Sequence, residues 1–423
     1  MTNSEQTKVV IIAGGKGTRI ASVNSEIPKA MIPVGGKPVL EHQVEMAKRY
    51  GFTEFIFLTG YLGDKIQEYF GDGSKWGVHI DYYREEKPLG TAGAIAEIKD
   101  RLTDDFFVFY GDTVMDIDMP RMLSFHREHK ADATLLVHPN DHPFDSDIII
   151  LNKNTNEVKS FANKPHPKGF VSHNIVNAAL FIFNKKIADF IPQGKKSNLE
   201  KDVLPLCLAH GLHLYGYKST EFVKDMGTPE RYKAVCEDWA SGRVASMNYS
   251  VKRKAVFLDR DGVLNVDVGL VYKPSQMILI DKVEDALCYI HSKGYLAVVV
   301  TNQSVIARNL CTFDELDAIN AQMETLLGEK NSYIDALYFC PHHPDGGYPE
   351  ERKEYKIKCN CRKPAPGLLL KAAKDLNIDL SESIMIGDRD SDVQAGINAK
   401  VKKSLKVQTN EPGALMKALT REI

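Results

Sequence analysis

Two stretches of this chain, KVVIIAGGKGTRI (residues 8–20) and RKAVFLDRDGVLN (residues 253–265), share one grammar. Each is a short, β-branched apolar run that stops at a Gly- or Asp-rich turn. A run that is apolar at consecutive positions, rather than alternate ones, suits a strand buried on both faces, the condition of a parallel sheet covered by helices. Similar runs recur at EFIFLTG (54–60), FFVFYGD (106–112), ATLLV (133–137), YLAVVVTN (295–302) and SIMIGD (383–388). Amphipathic stretches closed by glycine, such as VLEHQVEMAKRYG and VEDALCYIHSKG, lie between many of them. This alternation predicts α/β layers with functional groups at the carboxyl ends of the strands.

A length of 423 residues exceeds a single core, since domains run to ~100–200 residues. The small, polar and basic stretch SGRVASMNYSVKRK (241–254) separates the helical pattern PERYKAVCEDWA from a new buried strand. The expected organisation is one domain over residues 1–240, a linker over 241–252 and a second domain over 253–423, with no internal repeat. A net charge of -2 argues against a general nucleic-acid or membrane-surface binder. No apolar run approaches the ~20 residues of a membrane helix. The polar start MTNSEQTKVV is not a secretory signal. Cys207, Cys236, Cys288 and Cys311 are scattered singly, which argues against a disulfide framework and for a reducing, cytoplasmic setting. Small molecules are the expected partners, with no nucleic acid and no membrane. No motif specifies an assembly state.

In the first half, Gly14, Gly15 and Gly17 follow a strand, where they let backbone N–H groups approach a phosphate closely, and Lys16 and Arg19 add charge. The spacing fits neither a dinucleotide fingerprint nor a P-loop; an ordinary glycine turn is the plain alternative. Lys29 follows soon after, beside Pro28. Gly90, Thr91 and Gly93, in PLGTAGAI, stand at the head of a predicted helix, suited to holding a base or sugar. Asp112 lies just past a strand and Asp225 just before a helix opened by Pro229, where carboxylates can hold Mg²⁺. In order, GGKGTR, PK, GTAG, GD and D-x-G-T-P resemble the sugar-1-phosphate nucleotidyltransferases over essentially residues 8–240. That resemblance implies a Rossmann-like domain in which Gly14, Gly15, Gly17 and Arg19 cradle a nucleoside triphosphate and Lys29 contacts its phosphates. It further implies that Asp112 and Asp225 hold Mg²⁺, and that Lys164 and Asn177 meet the sugar phosphate. Asn163 stands where the family has Glu, and Ala179 where it frequently has Gly.

In the second half, Asp259 and Asp261 end one strand, Thr301 and Asn302 a second, and Asp388 a third, with Asp392 beyond it. Paired carboxylates at a strand end suit nucleophilic or acid/base chemistry, or metal binding. D-x-D-G, T-N, K-P and G-D-x-x-x-D in this order resemble the haloacid dehalogenase-type phosphatases. The resemblance implies that Asp259 attacks phosphorus to form an aspartyl phosphate, and that Asp261 protonates the leaving oxygen and then activates water. Thr301, with Asn302, and Lys363, with Arg362, would hold the phosphoryl group. Asp259, Asp388 and the backbone of Asp261 would bind Mg²⁺, with Asp392 supporting the site. Only a helix and its strand fit between Asp259 and Thr301, so a capless phosphatase is expected.

The remaining cysteines cluster. Cys340-Pro-His342 and Cys359-Asn-Cys361 offer three thiols and an imidazole, a common closed, structural Zn²⁺ set. His343 competes with His342, and the resemblance selects His342. Such a loop would brace Arg362 and Lys363. The C-x-H…C-x-C loop occurs in histidinol-phosphate phosphatases and in D-glycero-D-manno-heptose 1,7-bisphosphate phosphatases. FLDRDGVLNVDVGLVYKP, TNQSVIAR and CPHHPDGG resemble the second group, implying substrate contacts from Ser304 and Arg308; Val305 replaces a glycine usual there.

The overall expectation is two doubly wound α/β domains in a bifunctional enzyme of nucleotide-activated heptose synthesis. One centre would remove the 7-phosphate of heptose bisphosphate. The other would transfer a nucleotidyl group, GTP being the first choice, to heptose 1-phosphate. Two alternatives stand beside it. One is a mannose-1-phosphate guanylyltransferase fused to a histidinol-phosphatase-like enzyme. In the other, one half is a non-catalytic regulatory module, which the intact metal carboxylates and nucleophile oppose.

Overall fold

The computed structural model describes residues 7–15, 26–346 and 350–423. It divides into two compact units, one of Met1–Val137, Ile149–Asn163 and Asn177–Asn248, the other of His138–Ile148, Lys164–Val176 and Tyr249–Ile423.

The first unit is built on a nine-stranded sheet. Its centre is parallel: Asp105–Tyr110, Lys8–Ala13, Glu54–Thr59 and His79–Arg84 lie side by side in that order. Val9 is opposite both Phe55 and Phe107, and Val9, Val10 and Ile11 are fully buried, as consecutive apolar residues require. Val176–Asn184 runs antiparallel beside Asp105–Tyr110. The chain passes from Lys8–Ala13 to the strands on one side and then returns to Asp105–Tyr110 on the other. The switch point of the sheet therefore opens at Gly14 and Asp112, where open α/β sheets bind ligands. A two-stranded antiparallel pair, Thr113–Asp116 with Phe222–Asp225, sets Asp225 opposite Thr113. The helix Pro229–Ala240 follows, with Thr228 as its N-cap, accepting from the Arg231 N–H, and Pro229 in its first turn. Residues 241–252 are not a bare tether: Arg243–Ser246 forms a helical turn, and Asn248 donates to Asp116 at 2.7 Å.

The second unit holds five parallel strands in the order Ala336–Cys340, Tyr295–Asn302, Lys254–Leu258, Ile384–Gly387 and Lys403–Lys406. Val256 and Leu258 pack with Val283, Leu287 and Ile290 of one helix and Ile319 and Met323 of another. The switch point falls between Lys254–Leu258 and Ile384–Gly387, so Asp259 and Asp388 face one crevice. Among the described residues no helix is long and apolar enough to cross a membrane.

This unit also includes segments 138–148 and 164–176, which pack on the helix Phe313–Glu329. Thr325 Oγ1 accepts from Ser172 N at 3.2 Å and donates to Ser172 O at 3.1 Å. His173 lies 2.9 Å from Glu324 and 3.2 Å from Asp317. Burial alone would push His173 down, but the two carboxylates outweigh it and hold it up at about 10. Because the folded value is raised, the contribution is complete below the unfolded value of about 6.5 and is lost as pH rises through 10. Amide exchange over residues 164–176 is therefore expected to speed up, relative to its intrinsic rate, between pH 7 and pH 10. His173→Gln is expected to flatten that pH dependence.

Candidate active sites

The phosphatase-like centre is assembled at three strand ends. Asp259 follows Leu258 directly, and its N–H donates to Ile386 O at 3.0 Å. Gly262 turns the chain at φ +84°, and a Cβ there would lie 2.6 Å from Asp388 Oδ2, so only glycine fits. Asp388 follows Gly387, and Asp392 sits in the first turn of the helix Asp390–Asn398. One carboxylate oxygen from each of Asp259, Asp388 and Asp392 falls within 4.8 Å of the others, and all three residues are buried. Lys363, 3% exposed, places its ammonium 2.8 Å from Asp259 and 2.7 Å from Asp392.

Burial pushes Asp259 up to about 6, with Asp392 adding to the rise and Lys363 opposing it. Burial also raises Asp388, against a hydrogen bond from Thr409. Lys363 is driven down by burial but raised on balance by Asp259 and Asp392. Three carboxylates against one ammonium leave excess negative charge, and Asp388 Oδ1 is buried with no hydrogen-bond partner. A divalent cation bound by oxygen fits both facts.

Asp261 points elsewhere. Its carboxylate accepts from Arg260 Nη2 at 3.0 Å, Asn265 Nδ2 at 3.0 Å and Gln303 Nε2 at 2.8 Å. Burial raises it, but the Arg260 guanidinium and these hydrogen bonds outweigh burial and hold it below the usual carboxylate range. Thr301 is buried at the end of Tyr295–Asn302. The Asn302 amide clamps the Lys363 backbone, accepting from its N–H at 3.0 Å and donating to its carbonyl at 3.1 Å. Arg362 donates to the His342 carbonyl at 2.9 Å. The Ser304 carbonyl accepts from Arg308 N at 2.9 Å, closing the turn between them. Val305, in place of the usual glycine, packs in a small core with Ile306, Cys311 and Leu316.

The cysteine–histidine loop converges on a point. The Sγ atoms of Cys340, Cys359 and Cys361 stand 3.2–3.5 Å apart, and His342 Nδ1 lies 3.4 Å from Cys361 and 3.6 Å from Cys340. All seven cysteines are free thiols. A tetrahedral ion at ~2.3 Å from sulfur spreads its ligands slightly wider, so the four atoms fit Zn²⁺. His343 turns away, accepting from Asp345 N at 3.2 Å, and His342 is the histidine that faces the three sulfurs.

In the first unit, Lys29 ion-pairs with Asp112. Asp225 accepts from Gly227 N at 2.6 Å and Arg231 Nη1 at 2.8 Å. Burial would raise Asp225, but Arg231 and the Gly227 N–H, with Lys29, hold it below the usual range. The strand register that sets Asp225 beside Thr113 brings it next to Asp112, whose carbonyl accepts from Met226 N at 3.1 Å. Two aspartates whose backbones meet at a switch point are a donor set that suits Mg²⁺. Gly14 and Gly15 begin the loop after Lys8–Ala13, with open space around Gly15. Gly17 and Arg19, expected to cradle the triphosphate, lie outside the described residues.

Other expected contacts look inward. A Cβ on Gly90, at φ +80°, would meet Ser197 O at 2.2 Å, and one on Gly93 would meet Lys195 O at 2.6 Å. Thr91 Oγ1 accepts from Leu199 N at 2.9 Å. This turn thus packs against the chain's own segment 195–199. Asn177 Oδ1 accepts from Ala179 N at 3.3 Å, and Ala179 holds the glycine-type φ of 54°. Lys164 belongs to the second unit, with Nζ 2.6 Å from Asp145 O.

Sequence reasoning passed over Arg260, Gln303, Arg231 and Glu85. The first two lie inside stretches quoted above, and a charged residue between two strand-end aspartates was the available signal. Glu85 follows the strand His79–Arg84, with Oε2 3.1 Å from where a Gly14 Cβ would stand.

The nucleotidyl transferase family model matches residues 8–241, and the HAD-hydrolase-like model matches residues 360–412. The D-glycero-beta-D-manno-heptose-1,7-bisphosphate 7-phosphatase of Haemophilus influenzae is 46% identical over 159 residues, 38% of this chain and 84% of that protein. The mannose-1-phosphate guanylyltransferase of Mycobacterium tuberculosis is 34% identical over 242 residues, 56% of this chain and 66% of that protein. The crystal structure of HddC from Yersinia pseudotuberculosis complexed with GMP-PN is 28% identical with a TM-score of 0.48, covering 55% of this chain and 99% of that one. The chain belongs to the nucleotidyl transferase family, and its second unit to the HAD-like phosphatases. It is an enzyme with two centres, a nucleotidyltransferase and a phosphomonoester hydrolase.

Gly262→Ala would have to move Asp388 and adopt a left-handed turn, the latter costing about 1–2 kcal/mol. A lower melting temperature is expected, with phosphatase activity falling by more than that loss of stability explains and transferase activity unchanged. Thermal melts and separate assays of phosphate and pyrophosphate check this.

Proposed function

We propose that this chain carries out two consecutive steps of nucleotide-activated heptose synthesis. The phosphatase centre hydrolyses the 7-phosphate of D-glycero-D-manno-heptose 1,7-bisphosphate, and the transferase centre joins the resulting heptose 1-phosphate to a nucleotide. The observation that carries this reading is the pairing of two centres in one chain: the second unit is 46% identical to a heptose bisphosphate phosphatase over most of that protein's length. The product of such a phosphatase is a sugar 1-phosphate, the nucleophile that a sugar-phosphate nucleotidyltransferase uses.

In the phosphatase, an Asp259 oxygen forms a bond to phosphorus as the bond to the sugar oxygen breaks. That oxygen takes a proton from Asp261. Water then attacks the aspartyl phosphate and gives a proton to Asp261, while the Asp259 carboxylate is released with inorganic phosphate. Arg260 keeps Asp261 ionised in the free enzyme, and the charge of an incoming phosphate opposes Arg260 and restores proton affinity. Thr301 and Lys363 would hold phosphoryl oxygens, Asn302 positions Lys363, and Ser304, Arg308 and Arg362 would contact the substrate. Asp259, Asp388 and the Asp261 carbonyl hold Mg²⁺, which would screen the phosphoryl charge. Asp392 anchors Lys363. Cys340, His342, Cys359 and Cys361 hold a structural Zn²⁺.

In the transferase, a heptose 1-phosphate oxygen attacks the α-phosphorus of the nucleotide, and pyrophosphate leaves with the electrons of the broken bond. The nucleophile is already an anion, so no base is required. Gly14, Gly15, Gly17, Arg19 and Lys29 bind the triphosphate, and Asp112 and Asp225 hold Mg²⁺, which would screen the developing charge. Asn177, on the strand beside Asp105–Tyr110, would meet the sugar phosphate. GTP is the favoured nucleotide: a guanylyltransferase is 34% identical over this region, and Glu85 presents acceptors that complement the guanine N1–H and N2–H₂ donors. We place both reactions in the cytoplasm, where the zinc thiols stay reduced.

The test supplies α and β anomers of the bisphosphate with Mg²⁺ and each of GTP, ATP, CTP and UTP, with mass spectrometry reading the products. GDP-heptose from one anomer is expected. Phosphate release alone would assign the transferase to another sugar 1-phosphate, with mannose 1-phosphate first in line. Asp259→Asn is expected to reduce phosphate release by at least about 10³-fold and leave pyrophosphate formation intact. Asp112→Ala should do the reverse, and loss of both activities in either variant would contradict independent centres.

A further inference from the structure

Arg260 is fully buried, between two aspartates that need different things. Its Nη1 donates to Asn320 Oδ1 at 3.1 Å, and its Nη2 donates to Gln303 Oε1 at 2.9 Å and to Asp261 at 3.0 Å. Gln303, 2% exposed, completes the arrangement: its Nε2 donates to Asp261 Oδ2 at 2.8 Å and to Thr301 Oγ1 at 2.9 Å.

The orientation of this carboxamide is forced. A guanidinium has only donors and an ionised carboxylate only acceptors, so Oε1 must face Arg260 and Nε2 must face Asp261. The second Nε2 hydrogen then goes to Thr301. A hydroxyl that accepts from Gln303 keeps its own O–H free to donate.

We propose that Gln303 is a positioning residue for phosphoryl transfer, aiming the Asp261 carboxylate at the leaving oxygen, with Thr301 Oγ1 anchoring its second N–H. Arg260 and Asn320 form the support behind it. Asn320 comes from the helix Phe313–Glu329, so the aim of the acid/base group is set from outside the strand ends that carry the nucleophile and the cation ligands. The inference rests on the phosphatase reading, with Asp261 as acid and base, and not on the identity of the sugar.

Two probes separate aim from fold. p-Nitrophenyl phosphate has a leaving group that departs without a proton, so its first-turnover burst needs Asp259 but not a well-aimed Asp261. Loss of oxygen-18 from labelled inorganic phosphate needs both. Asp259 displaces water, which takes its proton from Asp261, and solvent water then reverses the step.

In the full chain, Gln303→Met and Gln303→Glu both remove the donor to Asp261, and the glutamate keeps an acceptor for Arg260 if the methionine variant does not fold. Oxygen exchange is expected to fall by about 10²-fold while the burst falls by no more than about 5-fold. Zinc content and pyrophosphate formation should match the wild type. Equal losses in the two assays, or no loss in either, would overturn the proposal. A wild type that is active on both probes but inert on heptose bisphosphate would sink the sugar assignment and leave Gln303's role standing. A wild type inert on both would remove the phosphatase reading and this inference together.

Discussion

The second unit depends on one buried ammonium. Lys363 sits between Asp259 and Asp392 with almost no solvent contact. Removing one partner of such a pair costs about 3–5 kcal/mol, because the remaining charge stays buried and unmatched. Asp259, Asp388, Asp392 and Lys363 therefore cannot be placed independently. Yet Lys363 comes from a charged segment with little apolar surface to bury. The Asn302 clamp, the Arg362 bond to His342 and the Gly367 N–H on Asn360 O at 2.8 Å hold its backbone. Two of these contacts lead back to the cysteine–histidine cluster, which on the proposed reading would do for this loop what a hydrophobic core does elsewhere.

The two centres use the same topology differently. Each lies where a parallel sheet reverses its strand order, because there two loops diverge and leave a crevice. The proposed phosphatase reaction passes through a covalent intermediate, and Asp259 is buried beside a lysine and two further carboxylates. The proposed transfer needs only position and charge screening; Asp225 ends one of two short antiparallel strands, Asp112 directly precedes the other, and Lys29 ion-pairs with Asp112.

Much of this was legible because buried parallel strands write themselves as unbroken apolar runs. Tyr295–Asn302 and the helix Pro229–Ala240 have the bounds that their patterns suggest. The strand-end aspartates were legible for the same reason. What escaped depends on contacts distant in sequence. The glycines of PLGTAGAI read as a ligand cradle; that the backbone there also meets Ser197 and Lys195 closely is written in residues distant in sequence. Nothing local announces that segments 138–148 and 164–176 join the second unit, or that His173 meets Asp317 and Glu324. The resemblance had selected His342 over His343, and the hydrogen bond that His343 accepts from Asp345 N gives that selection a structural reason. Ala179 was noticed as a departure from glycine, and the structure gives that departure a meaning, a left-handed φ within a strand.

The central claim is that a metal-braced loop aims Lys363 at the phosphoryl group, and Cys359→Ser tests it most directly. Zinc content, phosphate release and pyrophosphate formation would be measured on one preparation of the full chain. The account predicts loss of zinc and a fall in phosphate release of about 10-fold or more, with pyrophosphate formation unchanged. Full phosphatase activity in zinc-free protein would contradict it.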